Sequence, residues 1–197
     1  MASILAAVDR GRQVEPDNAI YDIIHAALLL EDAAELLEDE SLSYEVPNHK
    51  GEVEVRHPHR LKVKGPAALD EELSVFMASA SKPRSRSHAI EMELHRQALL
   101  PRPQTLRGHL RMVARSISVL SPTPGYQRQV AITAVSRALE FAEQGKRADA
   151  ERLLDAVDAI ATRSAKQSRC AIELLVAQSV RILELNHRAL VYRLLRR

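Results

Sequence analysis

Residues 165–196 read AKQSRCAIELLVAQSVRILELNHRALVYRLLR, a stretch with neither proline nor glycine. Apolar residues recur through it at steps of three and four, the spacing that places side chains on one side of an α-helix. We therefore predict one uninterrupted helix from Ala165 to Arg196, about 45 Å long. Because such a helix is about as long as a domain of this size is wide, we expect the other helices to pack along it. The residues predicted to face inward are Ala171, Ile172, Leu175, Val176, Ile182, Leu183, Leu190 and Leu194.

The composition favours a helical core built without large aromatic side chains. Of the 197 residues, 46% are hydrophobic but only 3% are aromatic, and there is no Trp. The core must therefore consist of Leu, Ile, Val and Ala, a mixture that suits helices. A chain of this length buries roughly 70% of the surface of its unfolded form, so one compact domain is sufficient to hold it.

The single cysteine, Cys170, falls inside the predicted C-terminal helix and has no partner for an internal disulfide. A chain without disulfides fits a reducing compartment. The segment from Met1 to Val8 lacks a basic stretch followed by a long apolar run, and no run reaches about 18 apolar residues. We therefore expect a cytoplasmic protein that does not associate with a membrane.

The first eighty residues are predicted to combine helices with a small sheet. A short helix runs from Ser3 through Val8 and ends at Gly11, and a longer one spans residues 17–40. Alternating apolar and polar residues over 42–64 predict three short strands in an antiparallel meander. Pro66 suits the first turn of a helix that ends near Ala80.

The remaining residues are predicted to be helical. A short basic segment, residues 81–86, is the candidate joint between an acidic region, 1–80, and a basic region, 87–197. Helices are expected over 87–100, 105–120, 126–144 and 147–163, followed by the long C-terminal helix. The predicted fold is thus mainly α: an antiparallel helical bundle or helical-hairpin array with a long C-terminal helix and a small N-terminal β meander, in two regions or one compact domain.

One pair of predicted helices resembles a tetratricopeptide hairpin in the spacing of its small and large packing residues. The resemblance covers about 34 residues and a single copy, whereas a solenoid needs at least three repeats. The pattern therefore indicates an ordinary antiparallel helical hairpin, and no family is assigned. The residues that carry the resemblance are Ala138, Phe141, Gly145, Ala150, Leu154 and Val157.

Acidic and basic residues are distributed unevenly along the chain. Residues 1–80 contain 16 acidic and 7 basic side chains, whereas residues 81–197 contain 10 and 21. Such a division favours a surface that docks a partner of opposite charge, or neutralisation of one half by the other. We predict an acidic docking face at Glu31, Asp32, Glu35, Glu38 and Asp39. We predict partner or nucleic-acid binding at Arg84, Arg86, Arg107, Arg111, Arg115, Arg188 and Arg193.

Motifs for catalysis are weak. His88, Glu91 and His95 share one face of a predicted helix, which permits a metal site, but the spacing differs from that of the H-E-x-x-H motif and no fourth ligand is marked. Glycine loops that cradle phosphate and the G-x-S-x-G nucleophile motif are missing from the sequence. We therefore predict neither a cofactor nor a resident metal.

The leading functional prediction is a non-catalytic, helical protein-binding module. It would act as an adaptor, an inhibitor or an assembly component, perform no reaction, and associate with another protein or with copies of itself. A small Arg-rich chain of this kind suits a phage or mobile-element accessory protein. The alternative is a nucleic-acid-binding accessory protein that uses the basic stripe from Arg84 to Arg115, because several arginines spaced along one face follow a phosphate backbone. A metal-dependent hydrolase is the lesser alternative.

Overall fold

The computed structural model of the protein describes residues 2–48, 50–99, 103–120 and 122–196. Within these ranges, the side chains of Ala2, Ala89, Ile90, Leu94, Val113, residues 115–120 and Pro122 lie outside the description. The predicted mainly α fold with a small antiparallel β meander near the N-terminus is confirmed. The elements of the described residues are α1 (Ala2–Val14), α2 (Ala19–Ala33), β1 (Ala34–Glu38), β2 (Tyr44–Pro47), β3 (Val53–Arg56), β4 (His59–Val63), α3 (Pro66–Ser79), α4 (Ala89–Leu99), α5 (Leu106–Leu120), α6 (Pro122–Glu143), α7 (Arg147–Gln167) and α8 (Ala171–Leu195).

The centre of the fold is a bundle of α6, α7 and α8, each packed on the other two. Consecutive helices in this bundle are joined only by residues 144–146 and 168–170, so they run in opposite directions. Helix α2 packs on α6, and α3 packs on both α2 and α7. Small side chains allow these helices to approach closely, and larger ones fill the layers between them. The buried alanines of α6 and α7 include Ala131, Ala134, Ala138, Ala150 and Ala161, and the large buried side chains include Phe76, Leu153, Leu154 and Ile160.

The predicted single helix from Ala165 to Arg196 is wrong, because the chain breaks between α7 and α8. The backbones of Ser168 and Cys170 are extended. The Ser168 hydroxyl donates a hydrogen bond to the Ala165 carbonyl, and the Arg169 N–H donates to Glu173 at 2.9 Å. Polar side chains that bond to the nearby backbone in this way compete with helix formation. Cys170 therefore lies at the half-buried start of α8 rather than inside a helix.

The inward face of α8 also differs from the prediction. Leu190 is buried, but Leu175 and Ile182 are exposed by 68% and 53%. Two ionisable residues, Glu184 and His187, occupy the inner side instead. The helix is thus oriented with these two polar side chains buried, while part of the predicted core faces solvent. The buried residues of α8 are Ala177, Val180, Glu184, His187, Leu190 and Val191.

The predicted helix over residues 17–40 ends early, at Ala33, and the following residues form β1. Carboxylates at a helix C-terminus oppose the helix dipole. In the strand they instead lie beside basic groups of β4: Lys62 Nζ is 3.3 Å from Glu35, and Arg60 Nε is 3.0 Å from Asp39. These contacts favour a strand over a continued helix for the acidic residues.

The four strands make two antiparallel pairs, β1 with β4 and β2 with β3. They form one interrupted ribbon, in which residues 39–43 of one side face residues 57–58 of the other. The inner pair packs on α6 through the buried Leu61, and Arg60 bonds to Glu143 at 2.7 Å. The outer pair, β2 with β3, lies beside α8, where the ring of Tyr44 is 5.6 Å from that of His187.

Helix α1 continues past Gly11, where it was predicted to end, because this glycine lies against α2. A Cβ atom at Gly11 would be 2.3 Å from the Tyr21 ring, so the ring occupies the space of a side chain. The predicted joint, residues 81–86, is hydrogen-bonded to α2 and α7. The Ala19 N–H donates to the Arg84 carbonyl at 2.8 Å, and the Ser85 N–H donates to Gln167 at 2.8 Å.

Candidate protein-binding surface

The outer side of α8 carries a row of residues that its bundle contacts leave exposed. Leu175, Ile182 and Leu185 are exposed by 68%, 53% and 55%. Together with three smaller or polar exposed residues they recur at alternating steps of four and three, which is the spacing of the a and d positions of a coiled coil. We name this row the outer seam. Its members are Ala171, Leu175, Gln178, Ile182, Leu185 and Ala189.

The inner side of α8 fixes the direction in which the outer seam points. Glu184 accepts a hydrogen bond from Arg188, whose guanidinium also donates to Asp155 of α7 at 2.8 Å. His187 Nδ1 bonds to the Leu183 carbonyl at 2.8 Å. Glu184 and His187 are each only 1% exposed. Rotating the helix would carry both side chains out of their buried positions and would separate Arg188 from Asp155. The outer seam is therefore held toward solvent.

Burial changes the acidity of both inner groups. It lowers the pKa of His187 from its ordinary value of 6.5 to about 4, since a buried imidazolium loses its hydration. Burial also raises the pKa of Glu184, and the hydrogen bond from Arg188 acts in the opposite direction. The Nε2 atom of His187 has no hydrogen-bond partner among the described residues. This imidazole is consequently neutral at pH 7.

A trough runs beside the outer seam, between α8 and the outer strand pair. It consists of two adjoining cavities of about 290 and 490 Å³ that share Tyr44 and Asn186. Ile182 lines the first cavity and Ala189 the second, so the apolar seam and the trough form one surface. We name this depression the ribbon trough.

Basic residues dominate the charge of the ribbon trough. Arg56 and Arg128 line the first cavity, while Arg193 and Glu45 line the second. Arg56 is 3.1 Å from Glu54, whereas Arg128 and Arg193 form no ion pair within the described part of the chain. On the opposite side of α8, charges are balanced by Asp155 and by Asp158, which lies 3.4 Å from Arg181.

The predicted acidic docking face is not a helical face. Glu31 and Asp32 are exposed at the end of α2, whereas Glu35 and Glu38 are exposed on β1. Asp39 lies further on, next to Arg60. Although partial burial raises its pKa, hydrogen bonds from Ser41 and the charge of Arg60 lower it overall. The acidic residues are therefore spread over two kinds of element.

The predicted basic residues also divide between different parts of the fold. Arg84 is exposed beside α2, and Arg86 is paired with Glu91. Arg107 and Arg111 are exposed on α5, and the Arg115 side chain lies outside the described residues. Arg188 is paired inside the bundle, and only Arg193 of this set lines the ribbon trough.

The weak metal candidates have other partners. His88 Nε2 lies 2.8 Å from Glu15, and Glu91 binds both Arg86 and Arg169. The hydrogen bond from Arg86 lowers the pKa of Glu91. His95 is exposed. Among the described residues, no group of three or more His, Cys, Asp or Glu is placed to hold a metal ion.

Sequence reasoning missed the outer seam because it assigned three of its members, Ala171, Leu175 and Ile182, to the core. The signal was present in the same helix. Leu175, Ile182 and Leu185 follow coiled-coil spacing, while apolar residues of the other side alternate with Glu184 and His187. Amphipathic spacing predicts that the most apolar side is buried, and in α8 the predicted set mixes two sides. Val176, Leu183, Leu190 and Leu194 pack on the core, whereas Ala171, Ile172, Leu175 and Ile182 are exposed.

In the part of the chain that the structure covers, no helix combines the length and apolar character needed to cross a membrane. Comparison of the chain with protein families, with curated proteins and with solved structures gives no match.

Proposed function

We propose that the protein is a binding module that holds another protein against the outer seam of α8, as an adaptor, inhibitor or assembly component. The observation that supports this proposal is the exposure of Leu175, Ile182 and Leu185 at coiled-coil spacing. Apolar residues that are scattered singly over a surface need no explanation, whereas a contiguous row is typical of interaction sites. That the protein is not an enzyme, and that it is cytoplasmic, stay predictions.

The rigidity of the scaffold favours the same function. Helix α8 packs along α6 and α7, and Arg188 ties it to Asp155. A partner would meet a seam whose backbone is already ordered, so little conformational entropy is lost on the side of this protein. Such a surface is suited to stable, specific docking.

The test replaces two seam residues by aspartate, Ile182→Asp with Leu185→Asp. The matched control adds the same two carboxylates at exposed positions of α3, Ala67→Asp with Ala68→Asp. Wild type and both variants are immobilised, and proteins retained from the source cells are quantified by mass spectrometry. We expect a partner retained in near-stoichiometric amount by wild type and control but lost from the seam variant. Equal retention by all three proteins would contradict the proposal.

A second candidate function is nucleic-acid binding through α5. Arg107 and Arg111 are exposed one turn apart and form no ion pair within the described residues, which is the arrangement expected of phosphate contacts. Gel shifts with duplex and single-stranded probes test it, using Arg107→Glu with Arg111→Glu as the variant. Binding that falls steeply with salt and is lost in the variant supports it. Undiminished binding by the variant would exclude α5 as the site.

A further inference from the structure

We infer that the partner of the outer seam is an acidic amphipathic helix, which lies along α8 with its carboxylates toward the ribbon trough. This inference rests on the proposed function and adds the chemistry of the partner. Three features of the surface support it: the spacing of the seam, the sign of the charges beside it, and the shape of the trough.

The spacing of the seam indicates a helix. Its six positions, from Ala171 to Ala189, alternate in steps of four and three, and they cover about 27 Å of α8. A second helix with the same repeat places its own apolar residues between them, as knobs into holes. An extended strand repeats every two residues and does not follow this spacing. A partner helix of about five turns matches the full length of the seam.

The charges beside the seam indicate acidic residues in that helix. In coiled coils, the positions that flank the apolar seam select the partner by charge. On the trough side the flanking residue Arg193 lines one cavity and Arg128 and Arg56 line the other, against a single trough carboxylate, Glu45. Neither Arg128 nor Arg193 has an ion-pair partner among the described residues. Carboxylates of an incoming helix would supply the missing negative charge.

The shape of the trough gives those carboxylates a place to lie. The two cavities, of about 290 and 490 Å³, open beside Ile182 and Ala189 of the seam. Asn186 lines both cavities on the α8 side and offers its side-chain amide as a hydrogen-bond donor. Long acidic side chains that extend from the partner's flank therefore reach both charge and hydrogen bonds.

A second copy of α8 is a poorer occupant. The positions that flank its seam carry Arg181, Arg188 and Arg193 and no carboxylate, so a second α8 supplies no negative charge for Arg128 and Arg193. The acidic residues Glu35 and Glu38 of another copy lie on a strand, which lacks the spacing of the seam. An acidic helix from a different chain satisfies both requirements.

The experiment uses three synthetic helical peptides of about 21 residues. All carry the same Leu and Ile heptad seam, and they differ only in having Glu, Gln or Lys at the flanking positions. Binding to the full-length protein is measured by fluorescence anisotropy at about 50 mM and about 500 mM salt. We expect the Glu peptide to bind at least about tenfold more tightly than the Lys peptide. The difference should shrink at high salt.

Reversing the charge of the trough arginines should reverse the preference for the Glu peptide over the Lys peptide. The double variant Arg128→Glu with Arg193→Glu is expected to bind the Glu peptide more weakly and the Lys peptide more tightly than wild type does. The control variant reverses two exposed arginines outside the trough, Arg10→Glu with Arg84→Glu, and should keep the wild-type preference. The far-ultraviolet circular dichroism of each variant verifies that it is folded.

The outcomes separate the two proposals. Equal, seam-dependent binding of all three peptides overturns the acidic partner and leaves the outer seam as a binding site. Failure of every peptide to bind overturns the inferred helix, and the retention experiment with Ile182→Asp and Leu185→Asp then decides the proposed function independently. A dimer in sedimentation equilibrium that this same variant dissociates would identify a second copy as the occupant and overturn the inference. Preference for the Glu peptide, lost on charge reversal, establishes it.

Discussion

Replacing His187 by leucine is expected to remove a large part of the pH dependence of folding. The imidazole is almost fully buried, and burial lowers its pKa from 6.5 to about 4. Between these values the unfolded chain binds a proton that the folded chain does not. Stability from this group is therefore complete above pH 6.5 and is lost as the pH falls toward 4.

The size of the effect follows from the two pKa values. One pKa unit corresponds to about 1.4 kcal/mol. Linkage then gives a loss of about 2 kcal/mol in the free energy of unfolding between pH 7 and 5, and about 3 kcal/mol by pH 4. His187→Leu keeps a side chain of similar size against Tyr44, so its stability at pH 7 should lie within about 1 kcal/mol of wild type.

The assay is urea unfolding followed by circular dichroism at several pH values from 7 to 4. His187→Gln serves as a second variant, because it removes the titration but retains an amide that can donate to the Leu183 carbonyl. Other titrating groups, such as Glu184, Asp39 and Glu91, remain in all three proteins, so the difference between wild type and variant isolates His187. If plots of the unfolding free energy against pH ran parallel from pH 7 to 5 in all three proteins, the reasoning would be refuted.

Three further changes test packing. Gly11→Ala places a Cβ atom 2.3 Å from the Tyr21 ring, so thermal unfolding should show that the free energy of unfolding falls by about 1–3 kcal/mol. An unchanged midpoint would contradict the close contact. Gly145 follows the end of α6 with a φ of +73°, so chemical denaturation of Gly145→Ala should show that the free energy of unfolding falls by about 1 kcal/mol. A gain in stability would mean that the backbone at this turn is not left-handed. Ile182→Asp should change the free energy of unfolding by no more than about 0.5 kcal/mol because the site is exposed. Val180→Asp, at a buried site, should prevent folding. Equal effects of the two substitutions would mean that α8 is rotated differently.

The class of fold could be read from the sequence because apolar spacing is strong over α3, α6 and α7. Pro66 began its helix as predicted, and Gly145 closed α6. Helix boundaries were less accurate. Residues 122–125 were predicted as a loop, yet α6 begins at Pro122, since prolines are tolerated in a first helical turn.

The errors in α2 and α8 share a cause that the sequence does not display. Residues after Ala33 are compatible with a helix, and pairing of Leu36 with Leu61 across the sheet decides between the two structures. In α8, partners from other elements, Asp155 for Arg188 and Tyr44 for His187, determine which side turns inward. Long-range contacts of this kind override local spacing.

The candidate site could be predicted from the sequence only in part. Arg193 was selected from the sequence and lines the ribbon trough, whereas Arg56 and Arg128 were not selected because they lie far from the basic stretch in the chain. Strands and helices distant in sequence create the trough, so no motif marks it. The seam spacing was visible, but its exposure depends on how α8 packs.

Apart from Tyr44, which packs against the core beside His187, the outer strand pair contributes little to the folded core. All four residues of β3, from Val53 to Arg56, are exposed, and β2 buries none of its side chains completely. Evolution can therefore alter this wall of the trough while the bundle keeps its stability. Homologues that preserve α6, α7 and α8 are expected to diverge most in the seven other strand residues, so that a change of partner requires few substitutions and no new fold.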